Sequence, residues 1–202
     1  AAGYKAYVEG LPNNKKWEAA RKKGWERYLV SQRKLGWGLI LFGKHDKAIS
    51  LLNNALDSTK KILGQDNGTY AQFLHNLGLA YKDLGRSNEA LDYLQKALQI
   101  RTEIYGKRSP EVGYSYHAIG MAYSIQGAFN IALSYYNKAL DNLPEHIVSE
   151  SSYIHQNIAQ AYEKLLDFDS AFAHQNKAVA LLVKYLGARH PDVGNGYFNL
   201  AH

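Results

Sequence analysis

Histidines and carboxylates are the side chains here that could bind a metal or move a proton, and the chain has eight histidines, eighteen acidic residues and no cysteine. His75 and His117 lie 42 residues apart, with His155 a further 38 along. If the chain is built of repeated helices, the first two occupy equivalent places in neighbouring repeats and His155 falls one place off. Packed helix axes lie about 8–10 Å apart, so joint metal coordination by these three would need favourable rotamers and a third ligand. Histidines of a core or a groove are the better reading, and no metal site is assigned. Gly36-Trp37-Gly38 is not a dinucleotide loop, because no strand precedes it and the third glycine is misplaced. Asn67-Gly68-Thr69 has the form of a glycosylation sequon and matters only in a secreted protein. No Ser/His/Asp arrangement or carboxylate pair stands in a catalytic context. The chain is therefore read as a non-enzyme without a cofactor.

The elements that carry these residues recur. Leu74 to Ala97 contains Leu77-Gly78, Tyr81, Ala90, Leu94 and Ala97. Adding 42 gives Ile119-Gly120, Tyr123, Ala132, Tyr136 and Ala139, and subtracting 42 gives Leu35-Gly36, Leu39, Ala48, Leu52 and Ala55. A step of 39 from the third copy reaches Ile158-Ala159, Tyr162, Ala171, Gln175 and Ala178, and a further 42 reaches Leu200-Ala201. Small residues stand where two helices would cross closely and large apolar ones where a hole needs filling. This spacing resembles a tetratricopeptide unit. It predicts an all-α solenoid, a right-handed superhelix of antiparallel helix pairs.

Taken in order, residues 1–12 end in Gly10-Leu11-Pro12 and read as an arm or short packed turn, with Asn13 or Asn14 able to cap the next helix. From Lys15 to about Phe42 no proline intervenes, and Trp17, Ala20, Gly24, Tyr28, Ser31, Leu35 and Gly38 recur at helical spacing. This is either one long helix or two broken near Gly24; the single helix is the expectation. Turns between paired helices fall at Gly43-Lys44-His45-Asp46, with Asp46 the expected N-cap, then Gly85–Asn88, Gly127–Asn130 and Leu166–Asp169. Gly64 is placed to leave its helix in the left-handed conformation. Residues 1–28 are thus a basic arm and the start of the first helix. Residues 29–202 form an array of about four full repeats plus one terminal helix from Pro191. Tyr197, Phe198 and Leu200 do not give that last helix a polar outer face. Truncation of a fifth repeat, or self-association through the exposed terminal helix, is the reading.

Composition excludes several classes. Hydrophobic residues make up 46% and charged residues 21% of the chain, as in an ordinary folded protein. No apolar run is long enough to span a membrane. The lack of cysteine removes disulfides and thiolate chemistry and fits a reducing, cytoplasmic setting. The formal net charge is +6, and residues 1–34 hold nine basic and three acidic residues, a difference of +6 that accounts for all of it. The basicity belongs to one end.

At the breaks between repeats the chain reads Leu186-Gly187-Ala188-Arg189-His190-Pro191-Asp192-Val193 and, upstream, Tyr105-Gly106-Lys107-Arg108-Ser109-Pro110-Glu111-Val112. Together with the 42-residue period and Asn199-Leu200-Ala201, this resembles the kinesin-light-chain type of tetratricopeptide repeat. Gln65 to Thr69 depart from the pattern by lacking the His-Pro pair. The resemblance implies an adaptor without catalysis, whose concave groove binds a protein or peptide. Bacterial members of the type include proteins associated with tubulin-like filaments and with membranes. It also implies which residues line the groove: Gln72, His75, Asn76, Leu79, Lys82 and Asp83 in the second repeat; Tyr114, His117, Ala118, Met121, Ser124 and Ile125 in the third; Tyr153, Gln156, Asn157, Gln160, Glu163 and Lys164 in the fourth. Asn76, Asn157 and Asn199 share one place, where amides would hold an extended peptide's backbone, each offering a donor and an acceptor. The competing reading is that these asparagines bond neighbouring helices. Such a groove is close to neutral and lacks the rows of Lys and Arg that clamp a terminal carboxylate.

Lys15, Lys16, Arg21, Lys22, Lys23 and Arg27 share the first helix with Trp17, Trp25 and Tyr28. Either they engage an acidic surface (anionic lipid headgroups, acidic tails of a cytoskeletal filament), or the tryptophans pack inward and the lysines are a solvated face. Nucleic acid is the weakest partner, since no recognised module accompanies the charge. The expectation is an interaction scaffold, cytoplasmic and peripheral to a filament or membrane. The alternative is a regulatory or sensor module of a larger protein whose other domain is enzymatic or DNA-binding.

Overall fold

Wherever the sequence repeats, the backbone forms a pair of helices joined by a tight turn. The computed structural model describes residues 5, 8–11, 15–144 and 146–200, with the side chains of 15–18 and 198–200 outside that description. Among the described residues the elements are α1 (Lys15–Leu41), α2 (His45–Leu63), α3 (Gly68–Asp83), α4 (Ser87–Tyr105), α5 (Pro110–Ile125), α6 (Phe129–Asn142), α7 (Val148–Lys164), α8 (Phe168–Leu186) and α9 (Pro191–Leu200). The architecture is all-α, as the spacing predicts. The chain divides into two compact units, residues 1–100 and 101–202.

In the first unit α1 is a single helix of 27 residues that runs straight through Gly24. Gly24 is buried because the Val8 side chain lies where its Cβ would be. Leu29, Leu52, Ala55, Phe73 and Leu77 form a core between α1, α2 and α3. Gly78 lets α3 approach α4 closely: a Cβ there would lie 2.5 Å from Leu94 Cγ and 3.2 Å from the Ala90 carbonyl oxygen. This is the physical basis of the small residue in the repeat.

In the second unit Tyr136 takes the place that Leu94 has in the first and is 1% exposed, packed with Leu133, Ile154 and Ile158. Arg101 is 6% exposed and donates to the Glu111 carbonyl at 3.1 Å and Ser115 Oγ at 2.8 Å. Burial pushes its pKa down to about 10.

All four turns within helix pairs close the same way. Lys44, Arg86, Ala128 and Asp167 donate backbone N–H groups to Leu39, Tyr81, Tyr123 and Tyr162 at 2.8–3.0 Å, and the residue before each donates three places back. This motif needs a positive φ at its penultimate residue. Gly43, Gly85 and Gly127 supply 68°, 72° and 75°, whereas Leu166 is held at 63°. A leucine there costs about 1–2 kcal/mol.

Two local expectations are corrected. Helix α2 starts at His45 with Lys44 at the N-cap and no side-chain cap bond, so Asp46 lies in the first turn, where its charge meets the positive end of the helix dipole. Gly64 has φ 81° and ψ −171°, a region open essentially to glycine but distinct from the left-handed helix, because the chain leaves α2 extended. The caps that do form use Asn67 to Tyr70 N at 2.9 Å, Ser109 to Val112 N at 3.3 Å and Asp167 to Ser170 N at 3.1 Å. Asn13 and Asn14 lie outside the described residues.

Candidate functional site

Residues seven apart in a helix return to nearly the same face about two turns on. Glu150 and Asn157 stand in that relation on α7, and His117 of α5 lies between them. His117 is 6% exposed. Its Nδ1 is 2.5 Å from Glu150 Oε1 and its Nε2 is 2.8 Å from Asn157 Nδ2, while its ring meets Tyr136 edge-on at 5.9 Å. An ionised carboxylate only accepts, so Nδ1 carries the proton and donates to Glu150. The Nε2 lone pair then accepts from the amide of Asn157. The imidazole is fixed in one tautomer by one group on either side. Tyr114 stands close enough to feel the carboxylate: burial first, then Glu150 and Glu111, raise its pKa.

Of the residues expected in a groove, the second unit thus brings His117 and Asn157 together directly. Asn157 has its amide nitrogen bonded to a neighbouring helix, as the competing reading of that place requires. Tyr153 and Gln156 open instead onto a cleft of about 140 Å³, shared with Ser149, Ser152, Leu182, Asp192 and Asn195. Tyr153 is 55% exposed. Gln160 is exposed one turn further along, and Met121 packs partly into the core beside Ile154 and Ile158. Glu150, Asp192 and Asn195 escaped the sequence reading. The seven-residue step back from Asn157 was the signal for Glu150. Nothing in the period points to the other two, because α9 has no paired helix with which to compare.

Residues 69–145 match the tetratricopeptide repeat family. No curated protein sequence matches the chain. Among solved structures, a Podosopora anserina kinesin-light-chain candidate with nearly identical TPR-like repeats is 22% identical over 86% of this chain and 84% of that one, with a TM-score of 0.69. A single-substitution form of it gives 0.70. BtubC (BKLC) from P. vanneervenii is 20% identical over 93% of this chain and 73% of that one, with a TM-score of 0.73. The chain is a tetratricopeptide solenoid with the kinesin-light-chain fold. Solenoids of stacked helix pairs present extended surfaces for other proteins, and the class is typically a non-enzymatic scaffold.

In the first unit this solenoid keeps most of its expected groove residues close to the core. Asn76 and Leu79 are each 8% exposed, Gln72 and His75 are half-buried, and Lys82 pairs with Asp83 at 2.9 Å. Asn199 has its backbone in α9, but its side chain lies outside the described residues, as do those of Lys15 and Lys16. On α1, Lys22, Lys23 and Arg27 are exposed and Arg21 is half-buried, opposite the buried Gly24 and Leu29. Trp25 packs edge-on against Tyr28, with ring centroids 5.5 Å apart, and so belongs to the fold. Beside it a polar cleft of about 650 Å³ is lined by Lys5, Tyr28, Gln32, Lys47, Asn54, Asp57 and Lys61, among others. No helix among the described residues is long and apolar enough to cross a membrane.

Proposed function

We propose that this tetratricopeptide chain is a non-enzymatic adaptor that binds an extended peptide or a partner protein along the first helices of its pairs. The observation that carries this is the cleft beside α7, where Tyr153 and Gln156 meet Asp192 and Asn195. An exposed aromatic ring next to convergent amides and one carboxylate suits a peptide backbone with an apolar side chain. Asn157 contributes by holding His117 and Glu150 in place beneath that surface. The basic arm, through residue 28, is a separate functional part from the array that begins at residue 29. It draws the adaptor to an anionic surface: a tubulin-like filament, as the family resemblance implies, or an anionic bilayer, with the protein cytoplasmic and peripheral to it. Lys22, Lys23 and Arg27 supply exposed charge, and each basic residue near an anionic bilayer contributes about 1 kcal/mol.

The test has two arms. Pull-down from the native cell should yield a partner that is lost with Tyr153→Ala combined with Gln156→Ala while the fold is kept; retention of every partner by that variant would overturn the cleft assignment. Replacing Lys15, Lys16, Lys22 and Lys23 by Glu should abolish sedimentation with acidic filaments or phosphatidylserine vesicles, and unchanged binding would refute the role of the basic end.

A further inference from the structure

One edge of each helix pair carries rings at fixed places. In the second repeat Tyr81 and Tyr93 stack with centroids 5.3 Å apart. In the third, Tyr135 stacks on Tyr123 at 5.5 Å and meets Tyr116 at 6.1 Å, with Lys138 Nζ 4.9 Å over the Tyr135 ring. A step of 39 residues carries Tyr116, Tyr123, Tyr135 and Lys138 onto His155, Tyr162, His174 and Lys177. The fourth repeat therefore keeps the central tyrosine and the lysine but exchanges both flanking tyrosines for histidine. The two imidazoles face each other: Nδ1 of His155 on α7 lies 3.1 Å from Nδ1 of His174 on α8, and the Tyr162 ring packs 5.7 Å from that of His174.

We propose that His155 and His174 form a chelate for a borderline divalent transition-metal ion, zinc or copper, bound through the two Nδ1 atoms with solvent completing the coordination. Imidazole nitrogen is a preferred donor for these ions. With metal–nitrogen bonds of about 2.0–2.1 Å, two nitrogens on one ion stand about 2.9 Å apart at a right angle and about 3.3 Å apart in a tetrahedron. The observed separation lies between the two, so an ion about 1.3 Å off the line joining the nitrogens meets both with only small ring rotations. The ligand form of histidine is the neutral one, and the fold already favours it. Burial, then His174 and Lys177, push the pKa of His155 down to about 4, and burial, then Lys177, lower that of His174. In the free protein one Nδ1 carries the proton and donates to the other. On metal binding that proton moves to the Nε2 of its own ring, so none is released near pH 7.

No third His, Cys, Asp or Glu joins the pair among the described residues, which is why water takes the remaining positions. The charged group that bears on both rings is Lys177. It stands where Lys138 lies over tyrosine rings, and its charge opposes a bound cation. It makes a built-in control.

Titrating the full chain with zinc sulfate or copper sulfate at pH 7.5, followed by calorimetry, should show one high-affinity ion per chain. His155→Tyr and His174→Tyr each install the residue that the third repeat carries at that place, and each should weaken this binding at least tenfold. Lys177→Gln should tighten it several-fold. Nitrogen-15 spectra of the unmodified protein give a reading that needs no variant to fold: Nδ1 signals of two of the eight histidines should shift, and both rings should become Nε2–H tautomers. Equal binding by both tyrosine variants, Nδ1 shifts elsewhere, or no uptake at 1 mM free ion would overturn the assignment.

Discussion

Replacing Asn157 by alanine asks whether the imidazole of His117 is held from both sides. The amide nitrogen lies 2.8 Å from Nε2, and His117 is 6% exposed, so water cannot freely take its place. Stripping a partner from a buried polar atom costs about 1–3 kcal/mol. Asn157 is itself half-buried, which lets solvent part of the way in and puts the expected loss near the lower end, about 1–1.5 kcal/mol. In a chain of this size each kcal/mol moves Tm by about 2–4 °C, giving a fall of about 2–6 °C. His117→Phe keeps a ring against Tyr136 and removes both contacts; Glu150, whose side chain is 31% exposed, can turn to water. If the amide and imidazole are bonded, the double variant should cost about 0.5–1.5 kcal/mol less than the two single losses added together. Urea unfolding followed by circular dichroism measures all three, with Gln160→Ala as a control on the exposed side of the same helix, expected within about 0.5 kcal/mol of the parent. Losses that add within about 0.3 kcal/mol, or an Asn157→Ala that matches the control, would show that the bond does not form in solution.

Acid should weaken the fold through the histidine pair. His155 has its pKa lowered to about 4 in the fold, and His174 is lowered as well. The unfolded chain therefore binds more protons than the folded one between about pH 6.5 and 4. Stability is complete above about pH 6.5 and falls as the pH drops through that window, His155 contributing about 1–2 kcal/mol after allowance for solvent screening. The Tm difference between the unmodified chain and His155→Tyr with His174→Tyr, followed from pH 7.5 to 5, reads this directly; a constant difference would contradict it. Gly78→Ala should cost about 1–2 kcal/mol, because the new Cβ meets Leu94 Cγ at 2.5 Å in a filled core. Gly38→Ala, with nothing within 4 Å of its Cβ, should gain about 1 kcal/mol of helix propensity, and equal effects of the two in denaturant unfolding would sink the close-approach argument.

The helices were legible in the sequence because their cause is local and repeated. Small residues at crossings and large ones in holes recur every 42 residues, and Gly78 against Leu94 shows why the pattern has to hold. The unbroken α1 was legible for the opposite reason: nothing in Lys15 to Leu41 stops a helix, and Gly24 is paired with the Val8 side chain. The Asp46 cap was misplaced because the turn motif sets the start of α2 from the previous helix, through Lys44 N bonded to Leu39 O at 2.8 Å, and leaves no cap for a carboxylate to fill. The site was less legible. Which side a residue faces comes from the period, but what it touches depends on helices far away in sequence. Asn157 could be placed without its bond to His117, 40 residues off, being visible.

In an array whose backbone is fixed by a few residues per repeat, individual character arises where the period is broken. The fourth repeat breaks it most. Leu166 occupies a left-handed turn that glycine fills elsewhere. Gln175 stands where Leu94 and Tyr136 do, and its amide donates to the Gly196 carbonyl at 3.2 Å, tying α8 to α9 by a polar bond instead of an apolar plug. His155 and His174 replace tyrosines on one edge, while Tyr153 and Gln156 open onto the cleft on another. Leu166 and the two histidines bring local cost, in backbone strain or in disfavoured charge, and none is needed to form a helix pair, since the third repeat does without them. A sequence that keeps residues its fold does not require is marking where something other than folding acts on it, and here that region is α7 to α9.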